Sequence, residues 1–101
     1  MSASGQALLT ADDVQRLQMA KPITIINMAE RDEFKREHPA GAINIPFEEL
    51  GMRAPSALAP GRLSVVDCTG VVDAMCSLAL ERISRLGFDS AAVDFSLSRQ
   101  P

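Results

Sequence analysis

The sequence predicts an α/β domain, with helices layered on a largely parallel sheet. Two observations carry that prediction. Short apolar runs, ITII at 23–26, INI at 43–45, LSVVD at 63–67 and AAVDF at 91–95, alternate with stretches of helical character. Between 72 and 86, apolar residues recur at i, i+3, i+4, i+7, i+8, i+11 and i+14, the spacing of one helix face. A length of 101 residues, 47% hydrophobic and 23% charged, fits one folded domain over 1–101.

The elements can be read in order. Residues 1–6 are expected to be loose. Thr10 followed by Ala11-Asp12-Asp13 has the form of a capping box, which predicts a helix over 11–18. Lys21-Pro22 punctuates the chain, and ITII reads as a short buried strand. Glu30, Asp32 and Glu33 suit the start of a short helix ending near Glu37, because acidic side chains favour the positive end of a helix. Pro39 and Gly41 set a turn before INI, and one helical turn is expected over 47–50. The Pro-, Gly- and Ala-rich stretch 51–61 reads as a loop.

LSVVD has the uniform apolarity of a strand buried on both faces. Val72, Met75, Cys76, Ala79, Leu80, Ile83 and Leu86 then form the apolar stripe of a helix, opposite Asp73, Ser77, Glu81 and Ser84. Gly87 stands where that helix must stop, as a residue that tolerates positive φ.

Several function classes are disfavoured by composition. A net charge of −3 without a Lys/Arg run argues against a nucleic-acid surface. No apolar run approaches the roughly 18 residues that would span a bilayer. The N-terminal MSASGQALLT lacks the basic and apolar regions of a signal peptide. Two cysteines without a secretion signal read as reduced thiols in a cytoplasmic setting.

The chemistry-bearing stretch is SVVDCTGVVDAMC, 64–76. A cysteine between a strand and a helix sits among unpaired N–H groups at the positive end of the helix dipole, which lowers a thiol pKa and cradles an anion. Cys68 has that position.

The order IINMAERDEF, EHPAGAINIPFEEL, LSVVDCTG and LERISRLGFDSAAV resembles a rhodanese-like domain over about 23–93, with EHPAGAINIP as its most specific piece. The resemblance implies an α/β fold with a mostly parallel sheet of about five strands and helices on both faces. It also implies a persulfide-bearing cysteine on the active loop, which falls on Cys68, and a sulfurtransferase activity. Thr69, Gly70, Val71, Val72 and Asp73 would then cradle the sulfur through backbone N–H groups. The donor would be a small sulfur-containing anion or a persulfide and the acceptor a thiol. No cofactor and no metal are implied.

The same comparison exposes departures. Asn27-Met28-Ala29 replaces the family's Asp-Val-Arg, Gly70 comes one position early, and Asp73 stands where an arginine is expected. Gly87 lies further from Cys68 than usual, and the family's closing segment after the last strand is not recognised. No Lys, Arg or His occurs between Leu63 and Leu80, while Asp67 and Asp73 flank the loop. Nearby carboxylates raise a thiol pKa, opposing a dipole effect of about 0.3–1 kcal/mol. Only Arg53 or Arg62 folding over the loop would supply the missing cation. Two expectations therefore stand together: a sulfur acceptor at Cys68, or a catalytically silent rhodanese-like module whose C-terminal edge receives a protein partner.

Related phosphatase and arsenate-reductase loops need an arginine six positions after the cysteine, and Ala74 is there instead. Cys76 lies on the apolar stripe and reads first as a small buried hydrophobe, with a resolving thiol as the alternative. His38, the single histidine, is expected to make a structural hydrogen bond. Glu30, Asp32 and Glu33 are expected to be helix-start charges rather than paired catalytic acids.

Overall fold

A computed structural model describes residues 8–97. Helix α1 (Ala11–Ala20) leads into β1 (Ile23–Asn27), α2 (Arg31–Arg36) and β2 (Ala42–Asn44). A 3-10 turn, Phe47–Glu49, runs into α3 (Leu50–Ala57), followed by β3 (Leu63–Asp67), α4 (Asp73–Arg85) and β4 (Ser90–Val93). The expected loose segment 1–6 lies outside the described residues.

The strands pair in the order β2-β1-β3-β4, every pair parallel. Among the described residues the sheet thus has four strands rather than about five. Beyond β4, Leu9 makes only an isolated parallel bridge to Val93, its N–H donating to the Ala92 carbonyl and its carbonyl accepting from Asp94 N–H. Among the described residues the bridge involves Leu9 alone, just before Thr10 turns into α1, which is too short to count as a strand.

Successive residues of each strand face opposite sides, so the sheet divides two cores. Ile26, Val66 and Ala92 meet Leu50, Ala54, Ala79, Leu80 and Ile83 of α3 and α4 on one face. Ile25, Val65 and Val93 meet Val14 of α1 on the other. Helices cover both faces, as the resemblance implied.

Local sequence explains most boundaries. Thr10 Oγ1 accepts from Asp13 N–H at 3.2 Å while Asp13 Oδ2 accepts from Thr10 N–H at 2.9 Å, a reciprocal cap that starts α1. Gly87 ends α4 at φ 95°, a backbone conformation that other residues adopt only at a cost. In α4 the predicted stripe is buried from Cys76 to Ile83, but Val72 is 67% exposed because it is the N-cap rather than a helical residue.

The stretch 51–61, read as loop, is mostly helix α3. Pro55 lies inside it and withholds the N–H that would reach the Gly51 carbonyl. Both residues are on the exposed side, while Leu50, Ala54 and Leu58, at i, i+4 and i+8, are buried. Burial of that stripe outweighs the local breakers.

Arg31 closes a bidentate ion pair on Glu49 at 2.6 and 2.8 Å, tying α2 to the 3-10 turn. Its hydrogen bonds hold the Glu49 carboxyl below the usual range, with Arg53 adding to the effect and desolvation opposing it. Arg82 lies 4.8 Å over the Phe47 ring, joining the same turn to α4.

Two outcomes are expected. Thr10→Ala loses about 1 kcal/mol of stability through the missing cap, read as a lower urea midpoint at unchanged slope. Because the folded Glu49 pKa is lowered, its contribution is present above the unfolded carboxylate value and disappears as pH falls through the folded one. The melting-temperature gap between the parent and Glu49→Gln should therefore be widest near neutral pH and close in acid. A gap independent of pH would exclude the ion pair as its cause.

Candidate functional site

Sheet topology locates the site before any side chain does. From β1 the chain moves outward to β2, then returns across β1 to form β3 on its other side. In open α/β sheets, the crevice at such a reversal, outside the carboxyl ends of the strands, is where ligands bind. The ends that meet there carry Asn27 on β1 and Asp67-Cys68 on β3.

Cys68 extends the β3 ladder by one bond, its N–H donating to the Val93 carbonyl at 2.7 Å. The chain then turns at once. Val71 N–H returns to the Cys68 carbonyl at 3.0 Å, and Gly70 occupies the third position at φ 73°. A turn of this kind needs a residue free to take positive φ, which accounts for glycine two residues after the cysteine. Val72 caps α4 with its carbonyl, accepting from Met75 and Cys76 N–H groups, and Asp73 opens the helix.

This geometry divides the proposed cradle. Thr69 N–H is committed to Asp67 Oδ1 at 3.0 Å and Val71 N–H to Cys68. The N–H groups of Gly70, Val72 and Asp73 donate to no partner among the described residues. Thr69 also fixes the loop to β4, its Oγ1 accepting from Phe95 N–H at 2.8 Å.

Cys68 and Cys76 are joined as a disulfide, with Cα atoms 5.8 Å apart. The expectations of two reduced thiols and of Cys76 as a simple hydrophobe are corrected here. The tight turn brings α4 back so soon that its fourth residue lies within disulfide range of the strand end. Both cysteines still contribute to the core, at 5% and 7% exposure. The one sequence signal for the pair was the spacing of a strand-end cysteine from the first inward position of the next helix.

Neither of the two arginines expected as candidates reaches the loop. Arg53 donates to the Asn44 carbonyl at 3.1 Å and to Glu49 at 3.3 Å. Arg62 precedes β3, so the length of the strand, roughly 3.3 Å per residue, separates it from Cys68. Asp67, 6% exposed, sits on the α1 side of the sheet, opposite Cys68, and accepts from Asn27 Nδ2 at 3.2 Å. Asn27 and Asp67 are register partners, so the pair is a cross-strand contact. The sequence signal for it was two short polar residues, each closing an apolar strand.

On that α1 side lies a cleft of about 880 Å³, floored by Ile25, Asn27, Asp67 and Thr69 and walled by α1 and by His38 and its neighbours. Cys68 does not line it. His38 stacks on Phe34 at 4.0 Å and its Nδ1 donates to the Phe34 carbonyl at 2.7 Å, the structural role expected of it. Among the described residues, no helix is long and apolar enough to cross a membrane, and no three His, Cys, Asp or Glu side chains are grouped to hold a metal ion.

No protein-family model matches the sequence, and no curated protein does so either. Solved structures do match. The Alr3790 protein of Anabaena sp. is 29% identical with a TM-score of 0.71, the match covering 83% of this chain and 76% of that one. Its rhodanese-like domain, solved in solution, matches at 28% identity and TM-score 0.66, over 89% and 66%. A rhodanese-related protein of Thermoplasma volcanium matches at 25% identity and TM-score 0.70, over 87% and 83%.

Linking Cys68 to Cys76 closes a short loop, and a link across a separation of 8 residues is worth about 2.5 kcal/mol through the unfolded state. The oxidised protein should therefore unfold at a higher urea concentration than the same protein kept in a dithiol reductant. Coincident midpoints would mean that the bond constrains nothing.

Proposed function

The chain is a rhodanese-like domain, and from that premise we propose that Cys68 is a sulfur acceptor, active when its bond to Cys76 is reduced. The observation behind this reading is the place of Cys68: the carboxyl end of β3 at the sheet's reversal, directly before the turn that opens α4. The freed thiolate attacks the outer sulfur of a donor persulfide. A new sulfur–sulfur bond forms on Cys68, the donor's own sulfur–sulfur bond breaks, and the donor leaves as its thiolate. The N–H groups of Gly70, Val72 and Asp73, which have no partner among the described residues, are the donors left to the transferred sulfur, with Thr69 and Val71 shaping the turn. A thiol acceptor then takes the sulfur away.

The donor class follows from charge. Thiosulfate is a dianion, and recognition of such a group ordinarily uses a guanidinium fork. Here residues 68–73 carry no cation and offer backbone N–H groups, with the exposed Asp73 carboxylate at the start of α4. A persulfide or polysulfide, with less charge to neutralise, is the better fit.

A second reading has its own observation. The same lack of a loop cation suits a catalytically silent module that binds a protein partner. Its C-terminal edge is only partly open, since Leu9 already lies along β4 at Ala92–Asp94.

The deciding experiment reduces the protein, removes the reductant, and offers thiosulfate or a small-molecule persulfide under nitrogen, in the parent and in Cys68→Ser, with any change in protein mass and any released hydrosulfide followed together. The persulfide should modify the parent, thiosulfate should react at least about tenfold more slowly, and Cys68→Ser should take up nothing. A parent that behaves like Cys68→Ser with both donors would remove the sulfur-acceptor reading in favour of the silent module.

A further inference from the structure

Resting on the sulfur-acceptor reading, we propose that Cys76 is a second catalytic residue, which discharges the Cys68 persulfide as sulfide and leaves the two cysteines as the disulfide seen here. The chain then works as a persulfide reductase rather than as a carrier that hands sulfur intact to an outside thiol.

Three features point the same way. Cys76 already bonds Cys68, so no rearrangement separates the attacking sulfur from its target. Both residues are almost fully buried, so the thiol best placed to meet a sulfur on Cys68 is the internal one. A neighbouring group acts at an effective concentration that no dissolved thiol reaches. The loop also lacks the means to keep an anionic persulfide at rest: it has no cation, two of its N–H groups are committed, and Asp73 adds negative charge. A persulfide formed there is poorly held and close to a nucleophile.

The step balances. The protonated persulfide on Cys68 is attacked at Sγ by the Cys76 thiolate. The Cys68–Cys76 bond forms, the bond to the outer sulfur breaks, and that sulfur leaves as hydrosulfide with its proton. The electron pair of the Cys76 thiolate makes the new bond and the pair of the broken sulfur–sulfur bond leaves with the hydrosulfide, so that over uptake and discharge together the two cysteines give up two electrons. An external dithiol then reduces that disulfide, itself becoming a disulfide, and returns both thiols. The compound required for turnover is thus a dithiol reductant of the kind that reduces protein disulfides.

The test mixes reduced, reductant-free protein with one equivalent of a small-molecule persulfide under nitrogen, reading released hydrosulfide and protein mass together. The parent should release one hydrosulfide per chain and lose two hydrogens. Cys76→Ala should instead gain one sulfur atom and keep it, releasing hydrosulfide at least about tenfold more slowly. Cys76→Ser serves as a second variant of nearly the same size should the alanine form fold poorly. Both variants releasing hydrosulfide at the parent rate would overturn the role of Cys76. A parent that retains its added sulfur indefinitely would also overturn it, while leaving Cys68 as an acceptor. A parent that takes up no sulfur and releases none, like Cys68→Ser, would remove the acceptor reading itself.

Discussion

The structure depends on the backbone ladder of β3, hydrogen-bonded to parallel strands on both sides. A strand paired twice has no freedom of register, and its alternation then dictates what each face of the sheet receives. Val65 and Asp67 turn toward α1, while Val66 and Cys68 turn toward α3 and α4. A slip of one residue would send Asp67 into the larger apolar core and the cysteine to the cleft. The bond from Cys68 N–H to Val93 extends this constraint to the first residue beyond the strand. The Cys68 sulfur is thus positioned by sheet pairing, and the loop after it only has to turn.

Electrostatically the site differs from an anion receptor. Its charges are placed so that they do not cancel: Asp67 is sequestered by Asn27 and Thr69, Arg53 by Asn44 and Glu49, and Asp73 faces outward at the start of α4. Among the described residues, the loop itself supplies backbone N–H groups, the Asp73 carboxylate where it enters α4, and a second sulfur. This distribution of charge is the ground on which the proposed thiol–disulfide chemistry rests, as against capture of a doubly charged oxyanion.

Much of the fold was legible in the sequence wherever local chemistry and tertiary need agreed. The Thr10–Asp13 box, the apolar runs of β1 and β3, the stripe through α4 and the positive φ of Gly87 all follow from neighbouring residues. Helix α3 was not legible, because Gly51 and Pro55 signal a break. Only the three-dimensional core reveals that Leu50, Ala54 and Leu58 form an inward face. The position of Cys68 could be read from its strand, but its partner could not. The stripe in which Cys76 lies is equally consistent with packing and with bonding, and the turn angle that decides between them is set by Gly70 and the β4 contacts. The Asn27–Asp67 pair required the register of β1 against β3, which composition does not encode.

Leu9 and β4 carry one more consequence, for the order in which the molecule assembles. The two hydrogen bonds at Leu9 join the beginning of the described chain to its last strand. Contacts between residues so far apart are entropically costly to close and form late in a folding reaction. During synthesis, the segment before α1 must stay unpaired until nearly the whole domain has been made. Leu9 closes over β4 on either side of Val93, which the β3 ladder already holds and which supplies the carbonyl that receives Cys68 N–H. A chain in which β4 had not yet docked would keep the β1–β3 pairing, yet it would lack Ala92 and Val93 from the two cores and the carbonyl that anchors Cys68 N–H.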